Sequence, residues 1–168
     1  MPLPDIQDLI LTRLVECAGE IDPGINVKKF EPPEITADEL PLLTFAVGPQ
    51  QASPLTESQT EIILSRDYSI LMLTHSIDFE NFDESAGSPH LADTVPYIAK
   101  VQNYFWTHPL LQSDTTPSPL TAGGTGWTLA VLRTQLSDSG AFYVNNFTGI
   151  EFTLNVTARL VYQISRIA

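Results

Sequence analysis

The sequence predicts an α+β fold: a mainly antiparallel β-sheet with long strands, flanked by two α-helices in a single layered domain. Three observations carry that prediction. Residues 150–164 place an apolar side chain at every second position (Ile150, Phe152, Leu154, Val156, Ala158, Leu160, Tyr162 and Ile164), and among the residues between them only Val161 is apolar. Period-2 alternation marks a strand with one buried and one wet face. Residues 60–77 form a second run of comparable length, whereas segments 5–21 and 94–112 repeat their apolar residues at three and four, the helical period. At roughly 3.3 Å per residue the last strand would be about 50 Å long, and a compact chain of 168 residues is a sphere only about 40 Å across. The strand must therefore bend, or project toward a neighbour.

The chain opens on helix 5–21, with Ile6, Leu9, Ile10, Leu14, Cys17 and Ile21 as its packing stripe and Gln7, Asp8, Arg13, Glu16 and Glu20 outside; Asp22-Pro23-Gly24 ends it. A short strand at 25–30 precedes a Pro- and acid-rich loop at 31–41. Residues 42–48 are nearly all apolar, the pattern of a central strand, and a polar loop follows at 49–59. In strand 60–77, Ile62, Leu64, Tyr68, Ile70 and Met72 share one face. Leu71 and Leu73 make the other face apolar as well, so that end calls for cover on both sides, by a helix or by another subunit. Arg66 on the apolar face beside Asp67 implies a bulge or bend there.

An acidic, aromatic connection at 79–90 leads into helix 94–112, which Asp93 can cap and Pro96 enters in its permitted first turn. Its stripe is Leu91, Val95, Ile98, Val101 and Phe105, and His108-Pro109 kinks it or ends it early. Residues 113–126 are a Pro/Thr/Ser/Gly-rich loop, long for a compact domain and so functional or mobile. Strand 127–136, a turn at 137–140 and an aromatic segment at 142–148 return the chain to the final strand. Neither an internal repeat nor a domain boundary interrupts 1–168.

Twenty acidic residues against eight basic ones give a net charge of −12, and the basic ones are scattered, with only Lys28 and Lys29 adjacent. Binding nucleic acid by phosphate neutralisation is disfavoured. Asp5 and Asp8 stand where a secretory signal needs positive charge, and no apolar run approaches the length of a membrane span. The expectation is a soluble chain in a reducing cytoplasm, with no membrane partner. Cys17, the sole cysteine, lies on the apolar side of the first helix and reads as packing.

The chemistry of a site is hard to find. Gly123-Gly124-Thr125-Gly126 lacks the lysine and following helix of a phosphate loop and reads as a flexible linker. His75, His90 and His108 have neither metal-ligand spacing nor carboxylates at helical offsets. No serine lies in a G-x-S-x-G elbow, and no acidic pair has a context that forces two protonation states. The expectation is a protein that is not an enzyme, with no catalytic residue, no metal and no cofactor. Two readings stand for the acidic loop of Asp78, Glu80, Asp83 and Glu84: a solvated surface, or a contact for a cation or a basic partner. Phe79 and Phe82 divide likewise between an interface, where rings sit among charges, and the core. The candidate oligomer or partner interface is Leu71, Leu73, Phe79, Glu80, Phe82, Asp83, Phe142 and Tyr143. The candidate docking loops, 49–59 and 113–126, carry Gln50, Gln51, Leu55, Pro119, Leu120, Gly123 and Gly124. Their composition predicts that they are mobile in the free chain and order on docking.

Taken in order, these residues resemble the tail terminator (tail completion) proteins of long-tailed bacteriophages, of the lambda-like siphophage type. The resemblance covers nearly the whole chain. It rests on the acidic amphipathic first helix, the apolar strand Leu42-Leu43-Thr44-Phe45-Ala46-Val47 after a Pro/acid loop, the polar loop 49–59 and the long strand 61–77. The helix ending Tyr104-Phe105-Trp106-Thr107-His108-Pro109-Leu110 and the closing strand Gly149-Ile150-Glu151-Phe152-Thr153-Leu154-Asn155-Val156-Thr157 complete it. These are patterns and not an invariant signature, and neighbouring neck and tail-completion families share parts of them.

The resemblance implies a structural virion protein of the phage neck, assembled in the host cytoplasm. It would form a homo-oligomeric ring, usually a hexamer, at the head-proximal end of the tail tube, stop tube polymerisation, and join the tail to the head. Its partners would be itself, the tail tube protein and the head connector or stopper protein. Genomic DNA would pass through an acidic lumen without specific binding, because like charges repel. The alternative is another neck component, such as a head-completion protein, or an accessory tail or sheath protein. The stretch 113–126 departs from the family pattern, as an added contact with the connector or the tube would.

Overall fold

The computed structural model describes residues 5–54, 60–76, 91–144 and 146–162. Helix α1 (Ile6–Ile21) and helix α2 (Leu91–Thr107) pack on one face of a six-stranded sheet. Its strands are β1 (Asn26–Lys28), β2 (Leu42–Pro54), β3 (Glu61–Ser76), β4 (Thr121–Gly124), β5 (Trp127–Val144) and β6 (Phe147–Tyr162), in the spatial order β1-β2-β3-β6-β5-β4. Only β1 and β2 pair in parallel; every other pair is antiparallel. The domain is α+β, and its sheet is curled into a half-barrel.

Register explains where the core lies. Leu43, Met72 and Ile150 are neighbours across three strands, as are Phe45, Ile70 and Phe152, and then Tyr68 and Leu154. All of these are buried, under Ile10, Leu11, Leu14, Cys17 and Ala18 of α1 and Val101, Tyr104 and Phe105 of α2. Asp5 caps α1 by accepting from the Asp8 amide at 3.0 Å, which satisfies one of the helix's unpaired N–H groups. At the other end Lys100 of α2 donates to Asp22 at 2.6 Å, tying the two helices together.

Bulges bend the long strands. Gly48 and Pro49 of β2 together face Asp67 alone, and one extra residue interrupts the ladder at Thr74 in β3 and at Leu132 and Ser139 in β5. Each bulge kinks its strand and adds twist, which lets 16-residue strands stay within one domain. The irregularity expected at Arg66-Asp67 falls on the neighbouring strand instead. A side chain at Gly48 would put its Cβ 2.8 Å from the Asp67 carbonyl oxygen, so glycine takes that position. Arg66 then closes the bulge by donating to the Gly48 carbonyl at 2.9 Å and to Gln50 Oε1 at 2.9 and 3.0 Å.

Several expectations are corrected. Residues 49–54 are not a loop, because β2 continues past its bulge to Pro54 and pairs with β3 down to Ile62. Helix α2 covers Leu91–Thr107, three residues earlier at its start and five at its end than predicted. Pro109 disfavours helical backbone at His108, and His108 Nδ1 meets the Tyr104 carbonyl at 2.7 Å. Its buried stripe is Thr94, Val101, Tyr104 and Phe105, which leaves Val95 exposed. The turn expected at 137–140 is a bulge inside β5, with Gly140 at φ +85°. Gly123-Gly124-Thr125-Gly126 is no linker: Gly124 pairs with Trp127, and Gly126 at φ +81° completes a two-residue hairpin loop.

Candidate functional site

The two edges of the sheet are incomplete. Strand β1 covers β2 only at Leu42, Leu43 and Thr44, and β4 covers β5 only from Trp127 to Ala130. Among the described residues, no strand pairs with the outer edge of β2 from Phe45 to Pro54 or of β5 from Leu132 to Val144. Rows of unpaired backbone N–H and C=O groups are ready to extend a sheet into a neighbour. Val47 and Leu132 stand exposed on these two edges.

The face of the sheet away from the helices is polar over its middle. Asn155 donates from Nδ2 to Ser65 Oγ and to Asp67 Oδ1, both at 2.9 Å, and Ser69 Oγ donates to Glu151 at 3.4 Å. Beside β2 this face holds a cleft of about 330 Å³, with Leu71 and Ala46 in its lining and Glu31 and Glu151 as its carboxylates. At the near end Leu42 and Leu73 are covered, at 0% and 3% exposure.

A third feature closes the loop after α2 onto α1. Ser113, Thr115 and Thr116 hydroxyls donate to Glu16 Oε1 at 2.6, 2.8 and 2.8 Å, and these bonds hold its carboxyl down at about 2. The Glu20 carboxylate takes the Asp114 and Thr115 amides and the Tyr104 hydroxyl, at 2.9, 3.2 and 2.7 Å. Burial works against its charge, but these donors outweigh it and lower its pKa. The Tyr104 hydroxyl is pushed up, by burial and by its bond to Glu20. Arg13 donates to the Leu111 carbonyl at 2.8 Å, fixing a residue that sits at φ +52°. Such a left-handed residue needs surrounding contacts to hold it.

The sequence-derived site residues scatter over these features. Leu71 lines the cleft, half-buried. Leu73 is corrected: the single chain already covers its side chain, so it offers no surface to a subunit. The backbones of Phe142 and Tyr143 lie on the bare stretch of β5, paired inward to Gly149 and Thr148. Phe79, Glu80, Phe82, Asp83 and Leu55 lie outside the described residues. Gln50 and Gln51 are exposed but belong to β2, opposite Arg66 and Ser65. Pro119 is exposed, and Gly123 and Gly124 are exposed in β4. Leu120 is corrected from docking residue to core: it is buried, its amide donates to Leu110 and its carbonyl accepts from Val131. The stretch 113–126 is thus held down rather than free: carboxylates on α1 satisfy amides and hydroxyls of 113–116, and Leu120 and β4 pair with β5.

Sequence reasoning missed Arg133, Trp106 and the roles of Glu16 and Glu20. Trp106, 64% exposed, lies eleven residues from exposed Val95 and so on the same side of α2, a spacing that was readable. The partners of Glu16 and Glu20 lie about a hundred residues away, and no local pattern announces them. Burial pushes the Cys17 thiol up to about 11, which leaves it un-ionised and inert. The described residues contain no group of three His, Cys, Asp or Glu side chains that could hold a metal ion, and no described helix is long and apolar enough to cross a membrane. What the arrangement offers is backbone edges and surface, suited to assembly. Neither a protein-family model nor a curated protein matches the chain.

Proposed function

We propose that this chain is a subunit of a homo-oligomeric ring, a hexamer, in the neck of a long-tailed bacteriophage. The ring caps the head-proximal end of the tail tube, stops its polymerisation, and gives its other face to the head connector or stopper protein. The observation that carries this reading is the sheet: β3 and β6, each of 16 residues, lie at the centre of a curled sheet whose outer edges pair with no further strand among the described residues. A curled sheet with two open sides is suited to continuing through neighbouring copies around an axis. The pattern resemblance of the sequence to tail terminators supplies the place in the particle. A net charge of −12 suits a wall past which DNA slides without sticking.

Light scattering with negative-stain imaging tests the ring. Six copies of 18.5 kDa give particles of about 111 kDa, with a central hole. A chain that remains a single copy at every concentration, alone and with tail tubes present, would remove the reading.

A further inference from the structure

The bare edges of the sheet are complementary steps. Followed across the register, Leu42 is level with Leu73, Gly149 and Phe142, and Pro54 is level with Ile62, Leu160 and Leu129. The short strands therefore occupy opposite corners, β1 beside Leu42 on one side and β4 beside Leu129 on the other. Each corner strand stands at the level where the far edge pairs with no strand among the described residues. We propose that a second copy of this chain docks against these steps, the β5 side of one copy facing the β2 side of the next. Strand β1 then runs along the neighbour's β5 near Phe142, and the neighbour's β4 runs along β2 toward Pro54. This rests on the ring reading and states how the ring is sealed.

Strand directions allow it. Strand β1 runs with β2 and therefore against β5, giving an antiparallel pair; β4 runs against β5 and therefore with β2, giving a parallel pair like that of β1 and β2. The contact joins two different edges, so it repeats from copy to copy and closes a ring when the rotation per step completes a turn, where a two-fold contact would stop at a dimer.

Charge selects a second copy as the occupant. A chain with a net charge of −12 repels its own copies unless a cation is placed at the contact. Arg13, Lys28, Lys29, Lys100 and Arg159 each face a carboxylate of their own chain, and Arg66 is held by Gln50 and the Gly48 carbonyl. Arg133 alone among the described cations meets no acceptor within the chain, and it stands exposed on the bare part of β5. Its level is that of Thr157, Ser65 and Gln51. On the neighbour, Gln51 pairs with Ser65, and Asp67 stands two residues further along β3; its carboxylate meets only the Asn155 amide among the described residues, leaving it for the long Arg133 side chain to reach.

Crosslinking tests the contact. Ala52 and Leu132 are exposed and nearly level on the two edges, and Cys17, the one native thiol, is fully buried. The double variant Ala52→Cys with Leu132→Cys, treated with a short bis-maleimide, should give a ladder from dimer up to the complete ring, and either single variant should give monomer. Dimers from a single variant would mean like edges meet, and would overturn the proposal. Absence of a ladder while scattering shows rings would also overturn it and leave the ring reading intact. Scattering by single copies alone would remove both. Independently, Arg133→Glu should raise the concentration for half-assembly about tenfold, and Asp67→Arg in the same chain should restore it. A shift below about twofold would overturn the role of Arg133.

Discussion

Phe152→Ala should lower the stability of the chain by about 3–5 kcal/mol, a large part of the roughly 5–15 kcal/mol that holds a domain folded. Phe152 is fully buried on β6, flanked across the ladder by Ile70 of β3 and Asp138 of β5, on the face that the helices cover. Removing its ring forfeits the transfer energy of the lost atoms and leaves a cavity, and paired strands on both sides prevent the backbone from closing over it. Thr153→Ala, one residue on and half-exposed on the opposite face, should change stability by no more than about 0.5 kcal/mol. Denaturant titrations of the two variants check this. Comparable losses in both would mean that the polar face is also packed, and that the sheet is not open on that side.

Glu16→Ala should cost about 2 kcal/mol, because it leaves the hydroxyls of Ser113 and Thr116 without their charged acceptor and the Thr115 hydroxyl with Glu20 alone. The effect should be local as well as global: cleavage by an added protease should rise within 113–118 before it rises elsewhere. The pH dependence follows from the depressed carboxyl. Glu16 titrates at 4.5 in an unfolded chain and at about 2 here, so its contribution is complete above 4.5 and is lost as pH falls toward 2. Glu16→Gln should flatten that part of the stability profile. An unchanged slope in the Gln variant would show that other carboxyls carry the acid sensitivity.

Much of the fold was legible because burial imposes periodicity. The alternation in 150–164 located β6, the run from Ile62 to Met72 located β3, and the stripe of Ile10, Leu14 and Cys17 placed α1. What stayed hidden depends on partners distant in sequence. The composition of 49–54 reads as loop, yet β3 supplies a ladder for it to pair with. Residues 113–120 read as mobile from their own Pro, Ser and Thr content, and the carboxylates that hold them belong to α1. Val95 was misplaced because α2 starts at Leu91 and turns Thr94 inward in its stead. Of the candidate site, Leu71 and the backbones of Phe142 and Tyr143 lie at open surfaces, but edge strands that stop short cannot be read from their own residues. Arg133 is distinguished by having no acceptor among the described residues, which no sequence reports.

Tail length is the most direct measure of the proposed role. In particles made without this protein, electron micrographs should show filled heads with no attached tails, together with tail tubes longer than normal, and supplying the protein should restore one length. Heads that leak DNA while tails finish at their normal length would contradict the account and place the chain at head completion instead.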